Sequence, residues 1–519
     1  MPKVAIDGLC VDAAAGSTIL NAAEQAGISI PHFCFHPAFS PEGSCRLCLV
    51  EVEGSPKLEL ACATVVREGM KVVTASAQVR EARRGVLEFL LAEHPLDCPI
   101  CDKAGECRLQ DYYHAYGLTE GVFDETKERR EKKVRIGEKL LLDRERCVLC
   151  TRCVRFLTDV TKTGELAVVQ RGVRSEVATY DGERVRTPYA GNLVDLCPTG
   201  AITDTEFRFK TRPWFLERRE SVCPLCGRGC NIFVDSHPGV PRVPGSANVY
   251  RIRPRFNADV NGHWICDYGR YEYLRALRPA TRSRLMWRGE SHGVEMSWDK
   301  ATALVTAKLR AVLETKGPER VAVVLTSFLT NEEFYLIRRI FEISQGVRRV
   351  FFADPQPGTA DAFLLTAERA PNRKGAELLG FEPRPVVLGK LEESTDFIFI
   401  FGTFLADLYS SQEVSRIFDK VQTKVLVATN PEALAFRADF VLPAVPTAGK
   451  DGSFVNADGR IQKFSAAVRP SGDARPEWAI LLDLARALRP DEEFFGGFRG
   501  VPDIFERMTA EYPVFGALR

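Results

Sequence analysis

The sequence predicts an α+β front half followed by an α/β back half. Three observations lead there. All sixteen cysteines of the 519-residue chain lie at or before Cys266. The front half is broken into short mixed segments by turn dipeptides. After about residue 295, helical patterns alternate with apolar strands. That alternation implies a parallel sheet with helices on both faces. A chain of this length is expected to form two to four domains.

The elements follow in order. Residues 3–9 and 11–12 alternate as strands around Asp7-Gly8. Ser17 is the N-cap candidate for a helix over 18–26, which Gly27 ends. Strands follow over 47–52 and 58–64, with Gly54-Ser55-Pro56 between them. A helix over 79–93 places Val79, Ala82, Val86, Phe89 and Leu90 on one face and ends at His94-Pro95. The charge run over 124–139 reads as a solvated linker. Between Cys147 and Cys197 come a short helix and strands over 167–171 and 175–180, and a proline-rich stretch covers 238–254. In the back half, helices over 298–314, 331–344 and 412–421 alternate with strands over 321–327, 349–353, 396–402 and 424–428. No G-x-G-x-x-G or Walker A loop follows any of these strands, so a nicotinamide cofactor would sit on another subunit.

Bulk properties exclude several classes. The 70 basic and 69 acidic residues leave a net charge of +1. This gives no electrostatic reason to expect nucleic acid or an anionic membrane as partner. The first residues show no signal-peptide pattern. The apolar runs at 321–329 and 397–405 fall far short of the roughly 20 residues that a membrane span needs. A soluble, cytosolic protein is expected, where grouped cysteines are metal ligands sooner than disulfides.

Fifteen of the cysteines, with one histidine, fall into four groups with metal-ligand spacing. The first is Cys34, Cys45, Cys48 and Cys62. It has a single C-x2-C knuckle, whereas zinc ribbons prefer two, and the surrounding helix and strands fit a plant-type [2Fe–2S] ferredoxin. The second is His94, Cys98, Cys101 and Cys107, a set of three cysteines and one histidine that suits zinc and iron–sulfur alike. The third is Cys147, Cys150 and Cys153, a C-x2-C-x2-C run closed by the distant Cys197-Pro198. Leu157 stands where a standard run would carry its fourth cysteine, so one cluster is expected. Arg144, Arg146, Arg152 and Arg155 crowd this site, either favouring the reduced cluster or lying solvated on the surface. The fourth is Cys223, Cys226, Cys230 and Cys266, with Gly227 and Gly229 read as turns that aim backbone N–H groups at sulfur. Cys10 is left over and reads as a small core residue.

Residues 1–272 resemble the large iron–sulfur subunit of respiratory complex I, the bacterial G subunit and mitochondrial 75-kDa subunit. The resemblance rests on the four groups in this order, on Asn192-Leu193-Val194-Asp195-Leu196-Cys197-Pro198-Thr199-Gly200-Ala201, and on the Cys266-Asp267 ending through Arg270. It implies a [2Fe–2S] cluster on the first group and [4Fe–4S] clusters on the other three, the second with His94 as a ligand. The back half resembles the molybdopterin oxidoreductases in Thr330-Asn331-Glu332-Glu333 and in the run from Asp451-Gly452-Ser453-Phe454-Val455-Asn456 to Gln462. Active members carry a cysteine or selenocysteine molybdenum ligand downstream of the cluster. Here no cysteine follows Cys266, and the domain is much shorter, so no molybdenum cofactor is expected.

The resemblance implies five segments. Residues 1–77 form a β-grasp [2Fe–2S] domain, 78–117 the 4Fe–4S segment with its one histidine and three cysteines, and 118–212 a 4Fe–4S ferredoxin-like domain. Residues 213–272 form a molybdopterin-type 4Fe–4S segment, and 273–519 a shortened molybdopterin-oxidoreductase-like domain. The implied function is electron relay within a proton-pumping NADH:quinone oxidoreductase. The chain has no substrate-converting site of its own, and FMN and NADH sit on partners. Those partners are a flavoprotein subunit, a small 2Fe–2S subunit, a subunit with two 4Fe–4S clusters, and the quinone module. The complex would lie on the cytoplasmic face of the inner membrane. Two rivals stand beside this reading: a relay subunit of a soluble NAD-linked hydrogenase or formate dehydrogenase, and a non-redox scaffold stapled by zinc.

Overall fold

The chain divides into two units, Met1–Phe215 and Leu216–Arg519. The computed structural model describes residues 1–117, 120–123, 125–237, 239, 248–277, 285–288, 293–392, 394–435, 437–470, 472–490 and 493–518. Asp124 of the charge run and residues 238 and 240–247 of the proline-rich stretch lie outside these.

In the first unit, β1 (Lys3–Ile6) and β2 (Leu9–Asp12) pair antiparallel around Asp7-Gly8. Both turn residues take positive φ, 48° and 84°, as a two-residue hairpin turn requires. Helix α1 (Ile19–Gln25) is capped by Thr18, whose hydroxyl accepts the Asn21 N–H at 3.3 Å. The cap is thus one residue later than the Ser17 that the sequence suggests, and Ser17 N–H instead closes the preceding turn onto the Ala14 carbonyl. Strands β3 (Leu49–Val52), β4 (Glu59–Leu60) and β5 (Lys71–Val73) complete a five-stranded sheet in the order β2-β1-β5-β3-β4. Cys10 corrects its expectation: it lies on the edge strand β2 and is exposed.

Helix α2 (Ala77–Glu93) buries Val79, Arg83 and Leu87, one i, i+4 row, while Phe89 is 73% exposed. The apolar pattern misplaces the face because a buried arginine occupies its centre. Arg83 donates to the Leu49 carbonyl at 3.1 Å and the Tyr116 hydroxyl at 3.2 Å. Then come α3 (Arg108–Tyr116), β6 (Val134–Arg135), β7 (Leu140–Leu142) and α4 (Arg152–Arg155), which runs on as a wider π turn. After them come β8 (Leu166–Val169), β9 (Glu176–Thr179), α5 (Asn192–Leu196) and β10 (Ile202–Asp204). The charge run is not a merely solvated face. Lys127 donates to the Leu91 carbonyl and, at 3.0 Å, to the Ala92 carbonyl, at the end of α2 where helix carbonyls lack internal partners. Lys132 pairs with Glu145 at 2.6 Å.

In the second unit, β11 (Glu217–Val222), β12 (Asn231–His237) and β13 (Asn248–Pro254) form an antiparallel sheet. A seven-stranded sheet follows. Its strands are β14 (Met286–Arg288), β15 (Gly293–Glu295), β16 (Val321–Leu325), β17 (Val350–Phe352), β18 (Phe397–Phe401), β19 (Thr423–Ala428) and β20 (Phe440–Pro443). The order is β15-β14-β20-β19-β18-β16-β17, and the run from β20 to β17 is parallel. Every residue of β16 and β18 is buried. Val321, Val323, Phe397 and Phe399 enter one core, and Ala322, Val324, Ile398 and Ile400 the other, as a sheet covered on both faces demands.

A hairpin, β21 (Gly452–Val455) and β22 (Ile461–Phe464), joins the two molybdopterin-like motifs. Thr330 and Glu333 form a capping box on the helix Asn331–Ile337. Glu333 also receives Lys450 Nζ at 2.9 and 2.8 Å, and Lys450 reaches Glu477 at 2.9 Å. Glu332 accepts from Ser453 N–H at 2.9 Å and from its hydroxyl at 2.8 Å. A Cβ on Gly452 would lie 2.4 Å from Thr330 Cγ2, so the close approach requires glycine.

Candidate metal centres

The loop before β3 carries Cys34, Cys45 and Cys48, and Cys62 follows just after β4. The sulfurs of Cys34 and Cys45 lie 3.4 Å apart, and Phe33 N–H points at Cys45 Sγ at 3.4 Å. Cys62 hydrogen-bonds Cys48 and feels the charge of Cys34 and Cys45, so the four thiols form one set. The Cys34 thiol is pulled down to about 5, first by the Cys45 side chain, with help from backbone N–H groups and Ser44. Arg46, inside the C-x2-C knuckle, sits at φ 55°, a strained turn for a non-glycine residue.

In the third group Cys153 feels Cys150, Cys147 and Cys197, and all four cysteines line one cavity with Leu142, Val177 and Ile202. Leu149 and Thr151, at φ 48° and 55°, turn the run tightly between ligand positions. Ile202 N–H points at Cys197 Sγ at 3.4 Å. The solvated reading of the arginines fails, because Arg146 and Arg152 are buried. Arg152 donates to the carbonyls of Phe35 and, at 3.5 Å, Leu196.

In the second group Cys101 feels Cys98, and Cys107 feels Cys101. His94 caps the end of α2 beside the same Asp97 and Arg146 that act on Cys101. Burial, then Arg146, pull its pKa down to about 4, so the ring is neutral. Its Nδ1 is buried without a hydrogen-bond partner. The second and third groups share a seam. Arg146 forks onto Asp97 at 2.6 and 2.9 Å, and a Cβ on Gly200 would lie 2.4 Å from Cys101 Sγ.

In the fourth group Cys230 feels Cys223, Cys226 and Cys266, and Gly269 N–H points at Cys266 Sγ at 3.2 Å. Gly229 takes φ +64°, but its N–H closes onto the Cys226 carbonyl rather than a sulfur. Gly227 is not a positive-φ turn; a Cβ there would lie 3.2 Å from Ala457. The β21–β22 hairpin supports this loop. Gln462 donates to the Gly229 carbonyl at 2.7 Å, and Asn456 to the Arg228 carbonyl at 3.2 Å.

The donor chemistry fits iron–sulfur clusters. Burial pushes the thiols of Cys107, Cys150 and Cys266 up to about 11 and Cys147 to about 12. Cys153, Cys223 and Cys230 are raised well above the ordinary thiol value, also by burial first. Thiolates persist in such pockets when a cation compensates them, and a metal supplies that charge. A neutral imidazole with an open nitrogen is likewise in its ligating form. Among the described residues, no three His, Cys, Asp or Glu side chains are drawn in to the spacing of one bound ion.

Comparison with known proteins gives a domain for each group. Residues 3–77 match the 2Fe-2S iron-sulfur cluster binding domain, and 83–121 the NADH-ubiquinone oxidoreductase-G iron-sulfur binding region. Residues 137–203 match the NADH-quinone oxidoreductase subunit 3 ferredoxin-like domain, and 216–273 the NDSU1/NuoG-like 4Fe-4S domain. Residues 355–487 match Molybdopterin oxidoreductase. The NADH-ubiquinone oxidoreductase 75 kDa subunit of Reclinomonas americana is 39% identical over 69% of this chain and 50% of its own length. The G subunit of the NADH-quinone oxidoreductase of Mycobacterium tuberculosis is 36% identical over 75% of this chain and 47% of its own.

Over 66–75% of its length the chain is homologous to NADH-quinone oxidoreductase G subunits and to a 75 kDa subunit. It spans about half the length of the curated relatives it matches. Each of these four domain matches encloses one group: the first lies within 3–77, the second within 83–121, the third within 137–203 and the fourth within 216–273. A solved chain of an NAD+-reducing [NiFe]-hydrogenase is 33% identical, with a TM-score of 0.38, over 41% of this chain and 91% of that one. Among the described residues, no helix is long and apolar enough to cross a membrane.

Proposed function

We propose that this chain is an electron-relay subunit of a proton-pumping NADH:quinone oxidoreductase. It would hold a [2Fe–2S] cluster on Cys34, Cys45, Cys48 and Cys62. Three [4Fe–4S] clusters would sit on His94/Cys98/Cys101/Cys107, on Cys147/Cys150/Cys153/Cys197 and on Cys223/Cys226/Cys230/Cys266. Bound there, such clusters take up and release single electrons. The observation that carries the reading is convergence. Cys34, Cys107 and Cys150, one from each of the first three groups, enter a single hydrophobic cluster, with Cys45 packed against it.

The residues ligate, space and tune. Buried backbone N–H groups aimed at sulfur and the buried arginines bias the sites toward added negative charge. The entry flavoprotein with FMN and NADH, the small 2Fe–2S subunit, the two-4Fe–4S subunit and the quinone module would be partners on the cytoplasmic face of the membrane. The back half reads as architectural and free of molybdenum. Its motif residues are spent on the Thr330–Ser453 seam and on the loop of the fourth group.

The test is metal analysis and EPR on the anaerobically purified complex. About 14 irons per chain are expected, from one two-iron and three four-iron clusters. Stoichiometric zinc with little iron overturns the relay. Co-purification with a soluble hydrogenase, and no quinone reduction, overturns the complex I assignment.

A further inference from the structure

We infer that Arg155 is a positioning residue shared by the first and third cysteine groups, setting both their separation and their potentials. The inference rests on the cluster reading above. Arg155 Nη2 donates to the carbonyl of Cys34, in the first group, and at 3.4 Å to the carbonyl of Cys150, in the third. Nη1 donates to the Ser40 carbonyl at 3.2 Å, and Nε to the Thr151 hydroxyl at 3.2 Å. One guanidinium therefore holds the backbone of a ligand position from each group.

The charge is well sheltered. The side chain is 13% exposed, and its guanidinium carbon stands 5.0 Å from the Phe39 ring centroid. The Glu42 carboxylate lies 3.5 Å from Nε but is itself 36% exposed, so solvent screens it more than it screens the arginine. A cation in that position favours the more negative, reduced form on either side. The planar fork also fixes the Cys34 loop against α4, which a lysine cannot do with one ammonium. Arg152 makes a parallel tie through the Phe35 and Leu196 carbonyls, so the two loops stay joined when Arg155 is changed.

The test uses the whole complex and EPR-monitored redox titration. If the wild type lacks two-iron and four-iron signals, the relay reading itself fails. With those signals present, Arg155→Gln should lower the potentials of the first and third clusters together. The expected shift is tenfold or more in the reduction equilibrium, about 59 mV for one electron. The second and fourth clusters should not move. A shift in neither potential, or in one of the two, overturns the inference. Arg155→Lys keeps the charge and loses the fork. It should hold both potentials within threefold of wild type and change the spin–spin splitting between the first and third clusters. Should the glutamine variant lose its iron, the lysine variant decides alone: wild-type splitting overturns the inference.

Discussion

His94 ends α2 with a neutral ring and an unpartnered Nδ1, a costly arrangement for a residue with only a structural task. A neutral imidazole in place of a thiolate makes a cluster less negative and raises its potential. His94→Cys should therefore lower the potential of the second cluster, by on the order of 100 mV, in an EPR titration. An unchanged midpoint would mean that His94 is not a ligand. Glu332 makes a different prediction. Burial, the largest cause, pushes its carboxyl up to about 7 from 4.5. The folded state then holds a proton that the unfolded chain has released. The stability from Glu332 is complete below about pH 4.5 and is lost as pH rises through 7, on the order of 3 kcal/mol in all. Glu332→Gln should flatten the fall in melting temperature of the second unit between pH 5 and 8. An equal slope in both proteins would sink the assignment. The fifteen grouped cysteines were legible as ligand candidates because their spacing is written directly in the chain. Arg155 was legible as one of four arginines near the third group, but its tie to the Cys34 carbonyl and the burial of Arg83 were not, because an arginine bridging distant carbonyls leaves no periodic trace. Cys10 misled because burial on a strand depends on sheet order, which local sequence does not carry.

At the scale of elements, the turns between ligands matter more than the helices around them. Arg46, Leu149 and Thr151 all take positive φ between cysteines, and none is glycine or asparagine, so sequence reasoning had no cue for them. Gly200 had a cue, the run through Cys197-Pro198, but its reason lies in another element. Its missing Cβ makes room for Cys101 Sγ, and Arg108 N–H bonds the Pro198 carbonyl at 3.1 Å in the same seam. Gly200→Ala should therefore damage the second group rather than the third, although Gly200 adjoins the third in sequence. The expected result is loss of about four irons per chain and of the His94-ligated signal, with the Cys147–Cys197 signal retained. Loss of the third signal alone would contradict the seam. The three helices and four strands that the sequence predicts in the back half lie within a few residues of their observed ends, because both faces of the sheet are covered and the apolar runs are continuous. In contrast, β14, β15, β20, the β21–β22 hairpin and the helices Glu477–Leu488 and Val501–Glu511 were not predicted. The Thr18 cap and the buried face of α2 were settled by contacts far away in sequence.

The two units differ in what their cores are made of. Cys34, Cys107 and Cys150 are core residues of the first unit, packed with Phe33, Leu47 and Leu87. The cores on the two faces of the seven-stranded sheet contain no cysteine and are filled by strands such as Val321–Leu325 and Phe397–Phe401. Removing iron should therefore act unequally. In the first unit, chelation leaves the Cys107, Cys147, Cys150 and Cys153 thiols held neutral by burial, with empty space among them, and the packing that joins α2, α3 and α4 loses its centre. In the second unit the damage should stop at the fourth group, around Cys223–Cys266, because the two apolar cores of the seven-stranded sheet hold no cysteine. Hydrogen exchange after anaerobic chelation tests this. Amides of α2, α3 and α4 should lose their protection, while those of β16 and β18 should stay within about tenfold of the holo protein, since core strands open only by global unfolding. Equal loss in β16 and β18 would show that the sheet depends on the clusters, and that the back half is not the independent architectural unit its core composition implies.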